Sequence, residues 1–105
     1  MKRGEIWLSE QPEPIGKRPV VLLSRDEAYE IRNAVTVAQI TTTIRNIPVE
    51  VVLDESDGLH HRCVVNLDTI VTIPKSMLVK NISFLSVNKI ELVEKAIKFA
   101  LGITW

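Results

Sequence analysis

The sequence predicts a mostly β fold: a small, largely antiparallel barrel or coiled sheet with one C-terminal α-helix packed against it. Three observations lead there. Short runs rich in Val, Ile and Thr recur along most of the chain, separated by turns of Gly, Pro and Asp. The last stretch changes period, with Ile90, Val93, Ile97 and Leu101 at steps of three and four and Ala100 beside them, as on one face of a helix. At 105 residues, without repeat, low-complexity tract or linker, the chain has room for one core, so residues 1–105 are expected to form a single domain.

Taken in order, residues 4–8 (Gly-Glu-Ile-Trp-Leu) form the first strand, rich in β-formers. Residues 11–16 contain two prolines and a glycine and must be a surface loop. Next come Gly16-Lys17-Arg18-Pro19 and the run Val20 to Leu23, a strand too apolar to face water on either side. Pro19 fixes its own φ and pushes Arg18 into extended backbone, while Gly16 permits a tight turn. The guanidinium of Arg18 is thereby projected from the mouth of a buried strand. Residues 25–32 are polar and mixed in charge, a turn of helix or a second loop. Residues 34–41 alternate, with Val35, Val37, Gln39 and Thr41 on one face.

Residues 47–53 give a further strand with Val49, Val51 and Leu53 on one side, ended by the polar turn 54–58. Residues 63–67 and 70–73 are two strand-like pieces, broken softly at Asp68-Thr69. Pro74 stops pairing, and residues 75–78 suit one helical turn behind it. Asn88 with Glu91 fits the start of the final helix and Gly102 its stop.

The hydrophobic share of 46% beside 25% charged residues is that of a globular protein. The formal net charge is zero, so nucleic-acid binding must rest on a local patch. A single cysteine makes no internal disulfide, which fits a reducing, cytoplasmic setting. Lys2, Arg3 and Glu5 leave no signal-peptide core, and no apolar run reaches membrane-spanning length.

The polar residues at strand ends carry the chemistry. Arg18 opens one strand, Thr41-Thr42-Thr43 close another, and Asn66 lies inside an apolar one. A guanidinium, hydroxyls and an amide brought together suit a phosphodiester, donating to its non-bridging oxygens without a metal or other cofactor. The bland readings are a solvated loop end, β-propensity and a satisfied sheet amide. His60-His61 with Cys63, and Asp57 nearby, match no standard zinc spacing; on a strand adjacent histidines point apart, and nothing nearby lowers the thiol pKa. Trp7 and Trp105 suit core and tail packing, with an exposed Trp105 the mark of an interface. No phosphate-binding glycine loop is present.

Taken together, residues 3–8, residues 16–24 (Gly-Lys-Arg-Pro-Val-Val-Leu-Leu-Ser), Gln39-Ile40-Thr41, residues 47–53, Asp57-Gly58-Leu59, residues 67–70 and the closing helix resemble the MazF/PemK family of toxin endoribonucleases. The resemblance runs the length of the chain in the right order. It implies an SH3-like, PemK/CcdB-type barrel acting as a homodimer. It further implies metal-independent, sequence-specific cleavage of single-stranded RNA and inhibition by a cognate MazE-like antitoxin. The family's arginine before the proline of the second strand and its threonine ending the third carry over onto Arg18 and Thr41. Glu13 stands five before Arg18, the family's glutamate spacing, and is the one nearby group able to take a proton near neutrality. Lys17, Ser24, Thr42, Thr43, Asn66 and Thr69 are the expected RNA-binding residues.

Two departures from the family pattern stand out. The first loop is about four residues shorter, a change that folds tolerate. Thr69 and Val71 stand where relatives place a glutamine and a basic residue, so sequence preference does not carry over. Two other readings stay open: a non-enzymatic toxin of the CcdB type that binds DNA gyrase, and a degenerate member that only binds its antitoxin.

Overall fold

The computed structural model describes residues 1–104; Trp105 lies outside them. Strand β1 (Glu5–Glu10) and strand β2 (Lys17–Leu22) pair antiparallel from Ile6↔Val21 to Glu10↔Lys17. One helical turn, α1 (Ala28–Ile31), leads into β3 (Ala34–Thr41), whose bounds are those of the alternating segment. Strands β4 (Glu50–Leu53), β5 (Cys63–Pro74) and β6 (Leu78–Phe84) follow, and helix α2 (Val87–Leu101) comes last. The sheet order is β4-β5-β3-β2-β1-β6, with every neighbouring pair antiparallel. Strands β4 and β6 are its edges, so the curled sheet is a half-barrel.

Both faces of the central strands are covered. On one, Ile6, Val21, Ala38, Ile40, Val51 and Val65 pack with Val93 and Ala96 of α2. On the other, Val20, Leu22, Val35 and Val37 close on Tyr29, Ile73 and Leu78. Burial on two sides is why β2 ends in an unbroken apolar run instead of an alternation.

Several boundaries differ from expectation. Strand β1 runs on to Glu10, and β2 starts at Lys17 and stops at Leu22. Pro74 does not stop pairing ahead of itself: it stands opposite Ala34 as the last residue of β5, an end position where a missing N–H is tolerated. Strand β4 begins at Glu50, because Ile47 and Pro48 are exposed in the preceding loop. The two pieces around Asp68 are one strand: β5 pairs Gln39 with Asn66 but Ala38 with Ile70, so residues 67–69 bulge from the ladder without ending it. Strand β6 was not expected, since its only buried residue is Leu78 and an edge strand needs no apolar alternation. Helix α2 is capped by Ser86, whose side chain accepts from the Lys89 N–H at 3.2 Å, and not by Asn88. Gly102 ends the helix at φ 71°, as expected, but Leu101 is exposed and outside the buried stripe.

Candidate functional site

Even-numbered residues of β2 and odd-numbered residues of β3 share a face: Val20 lies opposite Gln39 and Leu22 opposite Val37. The same pairing sets Ser9 of β1 opposite Arg18 and Asn66 of β5 opposite Gln39. Carried two residues further, the β2–β3 register brings Arg18 level with Thr41 on that face. The β2–β3 ladder has by then ended, at Val20↔Gln39. Strand β2 continues with β1, and β3 continues with β5 to Thr41↔Val64. The two ribbons therefore bound a cleft, with half-buried Arg18 on one lip and half-buried Thr41 on the other.

The floor of this cleft is polar. Among the described residues the buried polar or charged side chains are Ser9, Gln11, Gln39, Asp57 and Asn66, and all but Asp57 lie here. Gln11 Nε2 donates to Gln39 Oε1 at 3.0 Å, and Gln39 Nε2 donates back to Gln11 Oε1 at 2.9 Å. Gln11 Nε2 also donates to Ser9 Oγ at 2.8 Å, and the Ser9 hydroxyl donates to the Arg18 carbonyl at 2.6 Å. Asn66 Oδ1 accepts from the Asp68 N–H at 2.9 Å, which shapes the β5 bulge. Buried amides cost free energy unless satisfied, and every member of this group has a partner.

Of the expected site residues, Arg18 and Thr41 fall level on one face where their strands part, and Asn66 lies on the same face opposite Gln39. Arg18 has no ion-pair partner among the described residues, so its guanidinium is available to an anion. Thr41 Oγ1 accepts from the Thr43 N–H at 3.2 Å, which leaves its own proton to donate. Glu13 is exposed in the loop after β1, its carboxylate folded back over Gly16. Gly16 has φ 62°, and an added Cβ there would stand 3.1 Å from Glu13 Oε1. Thr42 and Thr43 follow Thr41 into an exposed loop. That loop is gathered by Glu50, whose carboxylate accepts from the N–H groups of Arg45 at 3.0 Å and Asn46 at 2.9 Å.

Three expected RNA-binding residues are placed otherwise. Lys17 has the opposite parity to Arg18 and reaches Glu10, 3.6 Å away. Ser24 lies beyond the far end of β2, where its hydroxyl accepts from the Thr36 N–H at 2.9 Å. Sequence adjacency to the Arg18 motif does not bring it to the cleft, since a strand of this length separates the two. Thr69 sits in the bulge beside Asn66, but its hydroxyl donates to the Asn66 carbonyl at 2.9 Å. Ser9, Gln11 and Glu50 went unrecognised in the sequence.

Behind the sheet lies a cavity of about 550 Å³, walled by Leu8, Pro19, Ile40 and Leu59 and rimmed by Thr41, His60 and His61. The two histidines occupy a bend, not a strand, and so line the same space instead of pointing apart. Burial, with the Asp57 and Asp54 carboxylates, pushes the Cys63 thiol up and keeps it protonated, the reverse of what a nucleophile needs.

A curled antiparallel half-barrel whose central strands part at one end, with a guanidinium and a hydroxyl level on one face beside buried amides, defines a small β protein closed by a C-terminal helix. The chain belongs to the family described as PemK-like, MazF-like toxin of type II toxin-antitoxin system, whose model matches residues 2–101. Over 85 residues it is 45% identical to the probable endoribonuclease MazF5 of Mycobacterium tuberculosis, covering 80% of this chain and 77% of that protein. Its fold is similar to the Mycobacterium tuberculosis toxin MazF-mt6, with a TM-score of 0.89 and 33% identity over 96% of this chain and 99% of that one. A mycobacterial endoribonuclease solved in complex with its cognate antitoxin gives a TM-score of 0.88 at 27% identity, covering 100% and 98% of the two chains.

Proposed function

We propose that this toxin-family chain is an endoribonuclease that cuts single-stranded RNA at the cleft between Arg18 and Thr41. The observation that carries the reading is the shared level and shared face of these two residues, 23 positions apart in sequence, where β2 and β3 part. RNA brings its own nucleophile, so the protein has only to align and neutralise. The ribose 2′-hydroxyl attacks the adjacent phosphorus in line, and a pentacoordinate phosphorane forms. Expulsion of the 5′-oxygen leaves a 2′,3′-cyclic phosphate and a free 5′-hydroxyl. The planar fork of Arg18 holds the developing charge on the non-bridging oxygens, and the Thr41 hydroxyl donates to the same phosphate. Arginine stays protonated far above neutrality and is a poor base, so proton removal falls to Glu13, whose loop is rooted at Gln11 beside the cleft.

The partner of this reading is an antitoxin whose acidic, disordered tail folds across the same cleft, in keeping with the antitoxin complex of the mycobacterial relative. A homodimer working in the cytoplasm completes it; no helix among the described residues is long and apolar enough to cross a membrane. The test is digestion of RNA by purified protein with sequencing of the 5′-hydroxyl ends, beside a substrate carrying 2′-deoxyribose at the cut position. The deoxy substrate should resist. Equal cleavage of both would overturn the mechanism, and intact RNA with blocked DNA supercoiling would favour a gyrase-binding toxin.

A further inference from the structure

We propose that Gln11 and Gln39 form a positioning clamp that sets the width of the Arg18–Thr41 cleft and anchors the root of the Glu13 loop. The inference rests on the nuclease reading and adds two residues that do not touch the scissile phosphate. Beyond Val20↔Gln39 no backbone ladder joins β2 to β3, so backbone pairing does not fix the distance across the cleft. The reciprocal amide pair, at 3.0 and 2.9 Å, ties the two ribbons at the point where the ladder stops. Gln39 is two residues before Thr41 on the same strand face, so the pair sets where the hydroxyl stands. On the other side the tie runs through Ser9 Oγ to the Arg18 carbonyl, and so to the backbone that carries the guanidinium. The Gln11 N–H also donates to the Gly16 carbonyl at 2.9 Å, closing the loop in which Glu13 sits.

Two features separate a clamp from ordinary core filling. Both amides are more than nine-tenths buried at the end of the sheet where apolar side chains would pack as well, and a buried amide pair is a costly way to fill space. Its return is directional: each glutamine fixes the other's rotamer and separation, which an apolar contact does not. A phosphate held between two lips tolerates little error, since a displacement of about 1 Å can cost on the order of 100-fold in rate.

The experiment measures single-turnover and steady-state cleavage of an RNA oligonucleotide by the full chain, by Gln11→Glu, and by the paired Gln11→Leu/Gln39→Leu variant. The paired variant is expected to melt within a few degrees of the parent and to lose at least tenfold in kcat, with KM changed less than threefold. Gln11→Glu supplies the readout that packing does not move. Protonated, its carboxyl donates to Gln39 Oε1 and accepts from Gln39 Nε2, restoring the reciprocal pair; ionised, it has no donor. Burial of that carboxyl favours its neutral form, so it titrates above the ordinary carboxylate range, and the rate relative to the parent is expected to rise as pH falls through that raised titration. Should the paired variant fail to fold, the pH profile of Gln11→Glu decides alone. An active parent with unchanged kcat in the paired variant, or with a pH-independent ratio for Gln11→Glu, overturns the clamp and leaves the nuclease reading standing. An inert parent overturns the nuclease reading and the clamp with it.

Discussion

On one face of β2 and β3 the same two strands make two unlike regions. Leu22 against Val37 sits in a closed apolar layer with Val35, Tyr29 and Ile73, all buried. Four residues along β2, Arg18 and Thr41 stand half-exposed over Ser9, Gln11 and Gln39, with no ladder between their strands. The apolar end gains from burial and close packing, which need no direction. The polar end gives up that stabilisation for hydrogen bonds whose geometry is fixed. On the proposed nuclease reading, stability and chemistry are separated along a single pair of strands, and substitutions at the two ends should fail in different ways.

The largest effect is expected at the open end. Arg18→Ala should lower cleavage by about 10²- to 10³-fold, the usual loss when one donor to a developing oxyanion is removed, while leaving the melting curve close to the parent's. An Arg18→Ala protein that cuts RNA at the parental rate would erase the contrast between the ends. Leu22→Ala should do the opposite. It opens a cavity in the closed layer and should cost about 2–5 kcal/mol in denaturant unfolding, with cleavage well below the melting temperature kept within a factor of two or so. Loss of activity without loss of stability there would place the chemistry at the wrong end.

The smallest effect sharpens the contrast through pH. Burial, helped by the Asp26 carboxylate, pushes the Tyr29 phenol from its ordinary 10.0 up to about 12. Its hydroxyl donates to the Ser24 carbonyl at 2.9 Å. A phenol raised on folding keeps its proton in the native state, so its contribution is complete below pH 10 and is lost as pH climbs towards 12. Tyr29→Phe should cost about 1 kcal/mol at neutral pH for the lost hydrogen bond, and its stability should fall less steeply than the parent's between those two values. Equal slopes for the two proteins would mean that the closed layer does not exclude water from the phenol.

Much of this arrangement was legible from residue order. The alternation of residues 34–41 gives both the strand and the face, and the Gly16–Pro19 frame projects Arg18 from the start of β2. Strand β6 was not legible because Leu-Val-Lys-Asn-Ile-Ser-Phe buries little more than its first residue, and an edge strand is specified by its neighbour's hydrogen bonds. The amide floor was hidden for another reason. Gln11 reads as a loop residue and Ser9 as the polar half of an alternation, and their link to Gln39, 28 positions from Gln11, exists only once three strands are side by side. Ser24 shows the converse error. It follows the Arg18 motif in the chain, but an extended strand moves it about 3.3 Å farther from Arg18 with each residue.

The loop that bears Glu13 is both short and tied. Its ends meet through the Gln11 N–H and the Gly16 carbonyl at 2.9 Å, and the Ile15 N–H reaches back to Pro12 at 3.2 Å. So small a knob has few conformations to surrender when a ligand arrives and too little length to swing across the mouth as a cover. Encounter with RNA, instead of the opening of a flap, would then set the pace of entry, and departing fragments would have no latch to lift.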